Sequence, residues 1–167
     1  TANRIISMNT SRGSPYNCQF CKVKSIWGRT YRAFSPERVA DEIQFLIDNY
    51  QANGIYFRED NFTFDRDRVA GICQRIHNKN VQWVCESRVE HLDEDLVRLM
   101  SHTGCRAIWF GTESGSNRVL KMLHKGTDKE RAIKTFKLCE RYGIKTGASF
   151  ILGLPGETKD EMYETLN

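Results

Sequence analysis

The stretch VQWVCESRVEHLDEDLVRLMSHTGCRAIWFG, Val81 to Gly111, decides the fold. Its two ends, Val81–Glu86 and Cys105–Gly111, read as strands, being short apolar runs with β-branched and aromatic residues. Between them Asp93 to Thr103 reads as a helix, and Gly104 follows in the position where a left-handed residue closes a helix. Strand, helix and strand in that order make a right-handed parallel crossover.

Working outward, the same unit recurs. Arg4–Asn9 is a short strand, followed by a long irregular stretch to Phe34. Ser35 caps and Pro36 opens a helix with Val39, Ile43, Leu46 and Ile47 as its apolar stripe. Gly54–Arg58 is a strand, and Asp65 opens a helix carrying Val69, Ile72, Cys73 and Ile76 on one face. Beyond Gly111, Thr127 and Glu130 form a capping box for a helix ending at Gly143. Ile144–Leu152 is the next strand, and Thr158 with Glu161 starts a last helix, inside which the sequence stops. Strand–helix alternation of this kind predicts an α/β fold with a parallel sheet, either doubly wound or a barrel. No G-x-G-x-x-G or P-loop follows the first strand, which argues against a nucleotide-binding doubly wound sheet.

The 167 residues are 40% hydrophobic and 28% charged, enough for one domain with a real core, and no internal boundary is visible. A net charge of +4 is too mild to imply nucleic acid. No apolar run is long enough to span a membrane. Six cysteines without small-scaffold spacing argue against a secreted disulfide framework and for a reducing, cytoplasmic setting.

Each strand delivers polar or small residues to its carboxyl end: Asn9-Thr10-Ser11, Glu59-Asp60-Asn61, Glu86-Ser87-Arg88, Thr112-Glu113-Ser114 and Gly153-Leu154-Pro155-Gly156-Glu157. Ligands of parallel α/β folds bind at that end. Five such segments, with the loop SRGSPYNCQFC (Ser11–Cys21) on the same rim, point to one shared site. That loop holds Cys18 and Cys21 at C-x-x-C spacing, and two cysteines fall short of a tetrahedral or cluster site.

The same loop resembles the signature of the radical S-adenosylmethionine (radical SAM) superfamily, C-x3-C-x2-C with an aromatic residue before the last cysteine. Cys18, Phe20 and Cys21 match, and Ser14 stands at the first cysteine position. FREDNFTF (57–64), the run from Glu86 to Gly126 with its GTESGS, and ASFILGLPGET (148–158) resemble later segments of the family, so the likeness covers nearly the whole chain. DNFTF and SRGxPYNC look most like the subgroup that carries an upstream cobalamin-binding domain, with the methylthiotransferases second. The resemblance implies a partial TIM-type (β/α)6 barrel, here truncated after about five βα units. It also implies a [4Fe-4S] cluster and S-adenosylmethionine, used to make a 5′-deoxyadenosyl radical for methyl transfer or another radical modification. Any cobalamin would come from a domain outside this chain, and a flavodoxin- or ferredoxin-type protein would supply electrons. By the same likeness Cys18 and Cys21 are cluster ligands, and Glu59 and Asp60 face the amino group of the cofactor. Arg88 would meet its carboxylate and Glu113 its ribose hydroxyls. Ile151, Gly153, Leu154 and Pro155 would flank its adenine.

Ser14 departs from that pattern. A serine hydroxyl stays protonated at neutral pH and is a hard donor, whereas cluster iron selects thiolate. The expected consequence is impaired activity, with an engineered change and a natural loss both open as its origin. A cluster-free degenerate or truncated module with a structural or binding role is the alternative, and a zinc or dithiol site on Cys18 and Cys21 is a third. Cys73, Cys85, Cys105 and Cys139 are expected as small buried hydrophobes. His77, His91, His102 and His124 are expected at the surface, and Trp83, Trp109, Phe110 and Phe150 in the core. Lys22, Lys24, Arg29 and Arg32 are expected as a solvated basic loop, and Glu113 as a ligand-binding group without a cation partner. With five strands of a six-strand core, residues 1–167 are expected to be a domain of a longer polypeptide, or to self-associate through the open edge of the fifth strand. The substrate is not legible.

Overall fold

The computed structural model describes residues 3–167. Strand β1 (Ile5–Met8) leads into a small antiparallel ribbon, β2 (Ser11–Arg12) with β3 (Arg32–Ala33), which encloses a one-turn helix α1 (Val23–Ile26). Then come α2 (Pro36–Tyr50), β4 (Gly54–Phe57), α3 (Arg66–Ile76), β5 (Gln82–Ser87), α4 (Glu94–His102) and β6 (Cys105–Glu113). The chain continues through α5 (Asn117–Met122), α6 (Lys129–Arg141), β7 (Lys145–Phe150) and α7 (Lys159–Leu166).

The main sheet has the order β1-β4-β5-β6-β7, and every neighbouring pair is parallel. A doubly wound sheet reverses its order at a switch point; here each strand is added on the same side as the last, the progression of a barrel wall. Among the described residues β1 and β7 do not pair, so the sheet is an open arc. The fold is therefore α/β, five units of a TIM-type barrel.

Alternation along the strands sets the two faces. Ile55, Phe57, Trp83, Cys85, Ile108 and Phe110 point outward and pack under the helices against Ile43, Ile72, Leu96 and Met100. Burying a large side chain of this kind contributes about 1.5–3 kcal/mol. Phe57 stacks on Phe62 at 4.4 Å, and the Trp83 indole donates to the Thr103 carbonyl at 2.9 Å, so the one polar atom of that ring is satisfied. Cys73, Cys85, Cys105 and Cys139 are buried in this layer, and burial pushes the Cys73 thiol up to about 11.

Local side-chain signals placed most helix starts. Ser35, Asp65, Asp93 and Thr158 each accept a hydrogen bond from the backbone three residues on. The box expected at Thr127 is not formed: Asp128 caps α6, accepting from the Arg131 amide at 2.7 Å, while Glu130 accepts from Asn117. The stretch expected to be irregular up to Phe34 holds α1 and the β2–β3 ribbon, and α5 was not anticipated. Trp109, expected in the core, is 49% exposed because it alternates onto the inner face of the sheet; Phe150, also expected in the core, is 47% exposed at the end of β7, an edge strand of the described sheet.

Helix α7 is held by one carboxylate. Glu161 completes the capping box with Thr158 and accepts from Arg118 Nε at 2.5 Å and Nη2 at 2.6 Å. The Arg118 guanidinium holds the Glu161 carboxyl down to about 2, against an ordinary 4.5. A depressed folded-state value means that this contribution is complete above about 4.5 and lost as the pH falls through about 2. Glu161→Gln is therefore expected to lower the melting temperature at pH 7, with the gap to the parent closing as melts are taken from pH 5 toward pH 2. A gap independent of pH would remove the Arg118 pair as its cause.

Candidate functional site

The sequence places a polar rim at the carboxyl ends of the strands, and the fold gathers that rim into a cavity of about 310 Å³. Ser14, Tyr16, Cys18, Phe20 and Cys21 supply one wall, from the loop after β2. Asp60 follows β4; Glu86 and Ser87 end β5 and Arg88 follows; Trp109, Gly111 and Glu113 come from β6, Ser149 from β7, and Lys125 from the turn after α5. Gly13 fixes the loop where it enters: its φ is +87°, and a Cβ there would stand 2.2 Å from the Thr30 carbonyl oxygen, so a residue with a side chain would push the loop off the ribbon.

Cys18 is buried and Cys21 half-buried, with Ser14 on the same wall. The C-x-x-C pair runs directly into α1, not into an irregular stretch. Arg88 is thoroughly committed. Its Nη1 donates to Cys18 Sγ at 3.2 Å, its Nε pairs with Glu90, and its Nη2 donates to the Lys125 carbonyl. Its guanidinium lies 3.9 Å from the centre of the Tyr16 ring. Tyr16 in turn shares a hydrogen bond with His91 Nε2 at 2.5 Å, and His91 Nδ1 meets Asn61 at 3.1 Å. His91, expected at the surface, is thus a part-buried brace behind the cysteine loop, and burial lowers its basicity.

Glu113 ends β6 at φ +72°, a left-handed conformation that costs a non-glycine residue about 1–2 kcal/mol. That geometry turns its carboxylate onto Lys125 Nζ at 3.0 Å, with both side chains more than nine-tenths buried. The cation that the sequence did not reveal is Lys125, which also lies 5.6 Å from the Phe20 ring centre. The Ile151 amide donates to the Glu113 carbonyl at 2.9 Å and ties the end of β7 to the site.

Of the residues singled out from sequence, Ser14, Cys18, Phe20, Cys21, Asp60, Arg88 and Glu113 line the cavity together. Burial raises the Asp60 carboxyl above its ordinary range. Glu59 does not line the cavity: its carboxylate is taken by the Thr10 amide at 2.7 Å and by the hydroxyls of Thr10 and Ser11. Ile151, Gly153, Leu154 and Pro155 lie beyond β7, outside the lining, where Glu157 accepts from the amides of Gly153 and Leu154. Lys24 of the basic run lines the cavity, whereas Arg29 bonds to Asn17 and Arg32 to the Trp27 carbonyl. Glu86 and Ser87, named from sequence at the end of their strand, also line the cavity, whereas Lys125, Tyr16 and Ser149 were not singled out.

An all-parallel barrel arc with two cysteines, a loop wall and opposed charges at its carboxyl rim defines an α/β domain with one polar cavity at that rim. The chain belongs to the Radical SAM superfamily, whose pattern it matches over residues 8–167. It is 35% identical over 159 residues to "Uncharacterized methyltransferase PH0819" of Pyrococcus horikoshii, covering 94% of this chain and 35% of that protein. It is 31% identical over 166 residues to the anaerobic magnesium-protoporphyrin IX monomethyl ester cyclase of Rubrivivax gelatinosus, covering 97% of this chain and 30% of the cyclase. The radical S-adenosylmethionine methyltransferase TsrM from Kitasatospora setae, solved with tryptophan substrate and a SAM analogue, superposes with a TM-score of 0.86 at 20% identity over 98% of this chain and 33% of TsrM. The chain thus spans about a third of the length of these relatives.

The family implies S-adenosylmethionine and an iron–sulfur cluster. The charged lining suits the first, a zwitterion with a flat base: Asp60 offers an anion, and Lys125 and Arg88 offer positive charge. It does not suit a three-thiolate cluster, because the donors on the loop wall are two thiols and a hydroxyl. Among the described residues no group of three or more His, Cys, Asp or Glu side chains stands close enough to hold a metal ion. Among the same residues no helix is long and apolar enough to cross a membrane.

Proposed function

We propose that this chain is the S-adenosylmethionine-binding core of a radical SAM enzyme of the cobalamin-associated, methyltransferase-like group, with its cluster site reduced by Ser14. The convergence of Cys18, Cys21, Asp60, Arg88 and Glu113 on one cavity carries the reading. Asp60 receives the amino group of the cofactor, an ammonium beside an exposed carboxylate on the cavity wall. Lys125 and Arg88 place positive charge where the carboxylate of the cofactor is drawn in. Glu113, fixed by Lys125, accepts from the ribose hydroxyls, and Ile151 with Gly153, Leu154 and Pro155 borders the adenine from the end of β7. Phe20 shields the floor of the loop from water. With two cysteines in place of three the chain binds S-adenosylmethionine without cleaving it, and any methyl or radical chemistry belongs to a form with the full donor set. Cobalamin would come from another domain of a longer protein, and a flavodoxin- or ferredoxin-type protein would supply electrons.

Calorimetric titration of S-adenosylmethionine into the chain tests this. Saturable binding is expected, weakened about tenfold in Asp60→Asn, the loss of one charge-assisted hydrogen bond. No binding by the parent chain, or equal affinity in the variant, counts against the assignment. The cluster-free binding module, the alternative reading, rests on Ser14 and differs in one outcome: restoring the cysteine would then bring no iron.

A further inference from the structure

The core does not explain the position of Trp109. Its neighbours Ile108 and Phe110 are fully buried under the helices, yet Trp109, on a strand paired on both sides, is 49% exposed. In register it sits between Glu86 of β5 and Gly147 of β7. A Cβ on residue 147 would stand 2.8 Å from both Nε1 and Cε2 of the indole. The ring therefore rests directly on the β7 backbone, in space that only glycine leaves, and the indole also lines the cavity. Beside it Tyr56 donates its hydroxyl to Glu86 at 2.5 Å, a bond that pushes the phenol up to about 12 and aims the carboxylate along the same inner face. Gly111 and Ser149, the next inward-facing pair, are both small, and over Gly111 sits the Glu113–Lys125 pair, where a Cβ would stand 2.5 Å from Glu113 Oε1, so the pair bounds the space beside the indole.

We infer that the Trp109 indole, seated on Gly147 and flanked by Glu86, is the stacking platform for a flat one- or two-ring aromatic substrate bearing an N–H donor or positive charge. The inference rests on the proposed cofactor site above it. Flat rings stack on an exposed indole face and cations are drawn to it, while Glu86 takes the donor. A packed protein segment is the poorer occupant, because it would bury the carboxylates of Glu86 and Asp60 without water.

L-tryptophan and cytidine serve as probes, each a flat ring with N–H donors, and binding is followed by equilibrium dialysis with S-adenosylmethionine measured in parallel. At least one probe is expected to bind the parent chain. Trp109→Ala should weaken it by about tenfold and Trp109→Phe by less than about threefold. Gly147→Ala, which keeps the indole but displaces it, should behave like Trp109→Ala, and all three variants should melt close to the parent. Failure of both probes to bind, or unchanged probe affinity in Trp109→Ala, overturns the inference. So does an equal loss of S-adenosylmethionine affinity, because the platform would then serve the cofactor. Failure of the cofactor reading itself shows separately, as no S-adenosylmethionine binding by the parent.

Discussion

Replacing Ser14 by cysteine is expected to raise bound iron after anaerobic reconstitution from a small fraction to about four per chain, with broad visible charge-transfer absorption. The reason is local. Ser14, Cys18 and Cys21 already share one cavity wall, and Gly13 pins the backbone that carries residue 14. A hydroxyl there offers iron a protonated hard oxygen, and a thiolate supplies the missing soft donor. Arg88, now donating to Cys18 Sγ, would remain beside the new charge. Cys18→Ala in the Ser14→Cys background should return iron to the level of the parent. If Ser14→Cys binds no more iron than the parent, the loop is not a cluster site and the cluster-free module gains.

A second large effect is expected at the buried pair of Glu113 and Lys125. Lys125→Met leaves the Glu113 carboxylate without its partner in a site where each side chain is under a tenth exposed. Orphaning a buried charge costs about 3–5 kcal/mol, which in a domain of this size lowers the melting temperature by roughly 10 °C. The double variant Lys125→Met with Glu113→Gln should recover much of that loss, because the penalty is the orphaned charge and not the absent bond. Additive losses would show that the two residues act independently. The sequence alone suggested that Glu113 has no cation partner; the fold supplies one 12 residues away.

The contrast between those two sites explains what the sequence made legible. Ser35, Asp65, Asp93 and Thr158 announce helix starts because a cap bonds to backbone three residues on, a local event. The cap of α6 was misplaced by one residue because Thr127 and Asp128 can both cap, and Glu130, the supposed partner, is drawn to Asn117. Parallel alternation and the C-x-x-C loop are also readable in order along the chain. Trp109 was misjudged because β6 carries large apolar residues on both faces, so that alternation gives no sign of which face is covered. Lys125, Tyr16 and His91 were missed since their partners lie on other units of the barrel wall or across a turn, contacts that side-chain geometry creates and spacing does not encode.

The uneven covering of the six cysteines gives the native chain a built-in reporter. Five are buried, and Cys21 alone is partly open, on the wall of the cavity. A thiol-alkylating reagent therefore meets Cys21 first, and brief treatment of the folded chain should yield a single adduct by intact mass. The rate of that adduct then measures whether anything fills the cavity, without a tag, a dye or a turnover assay.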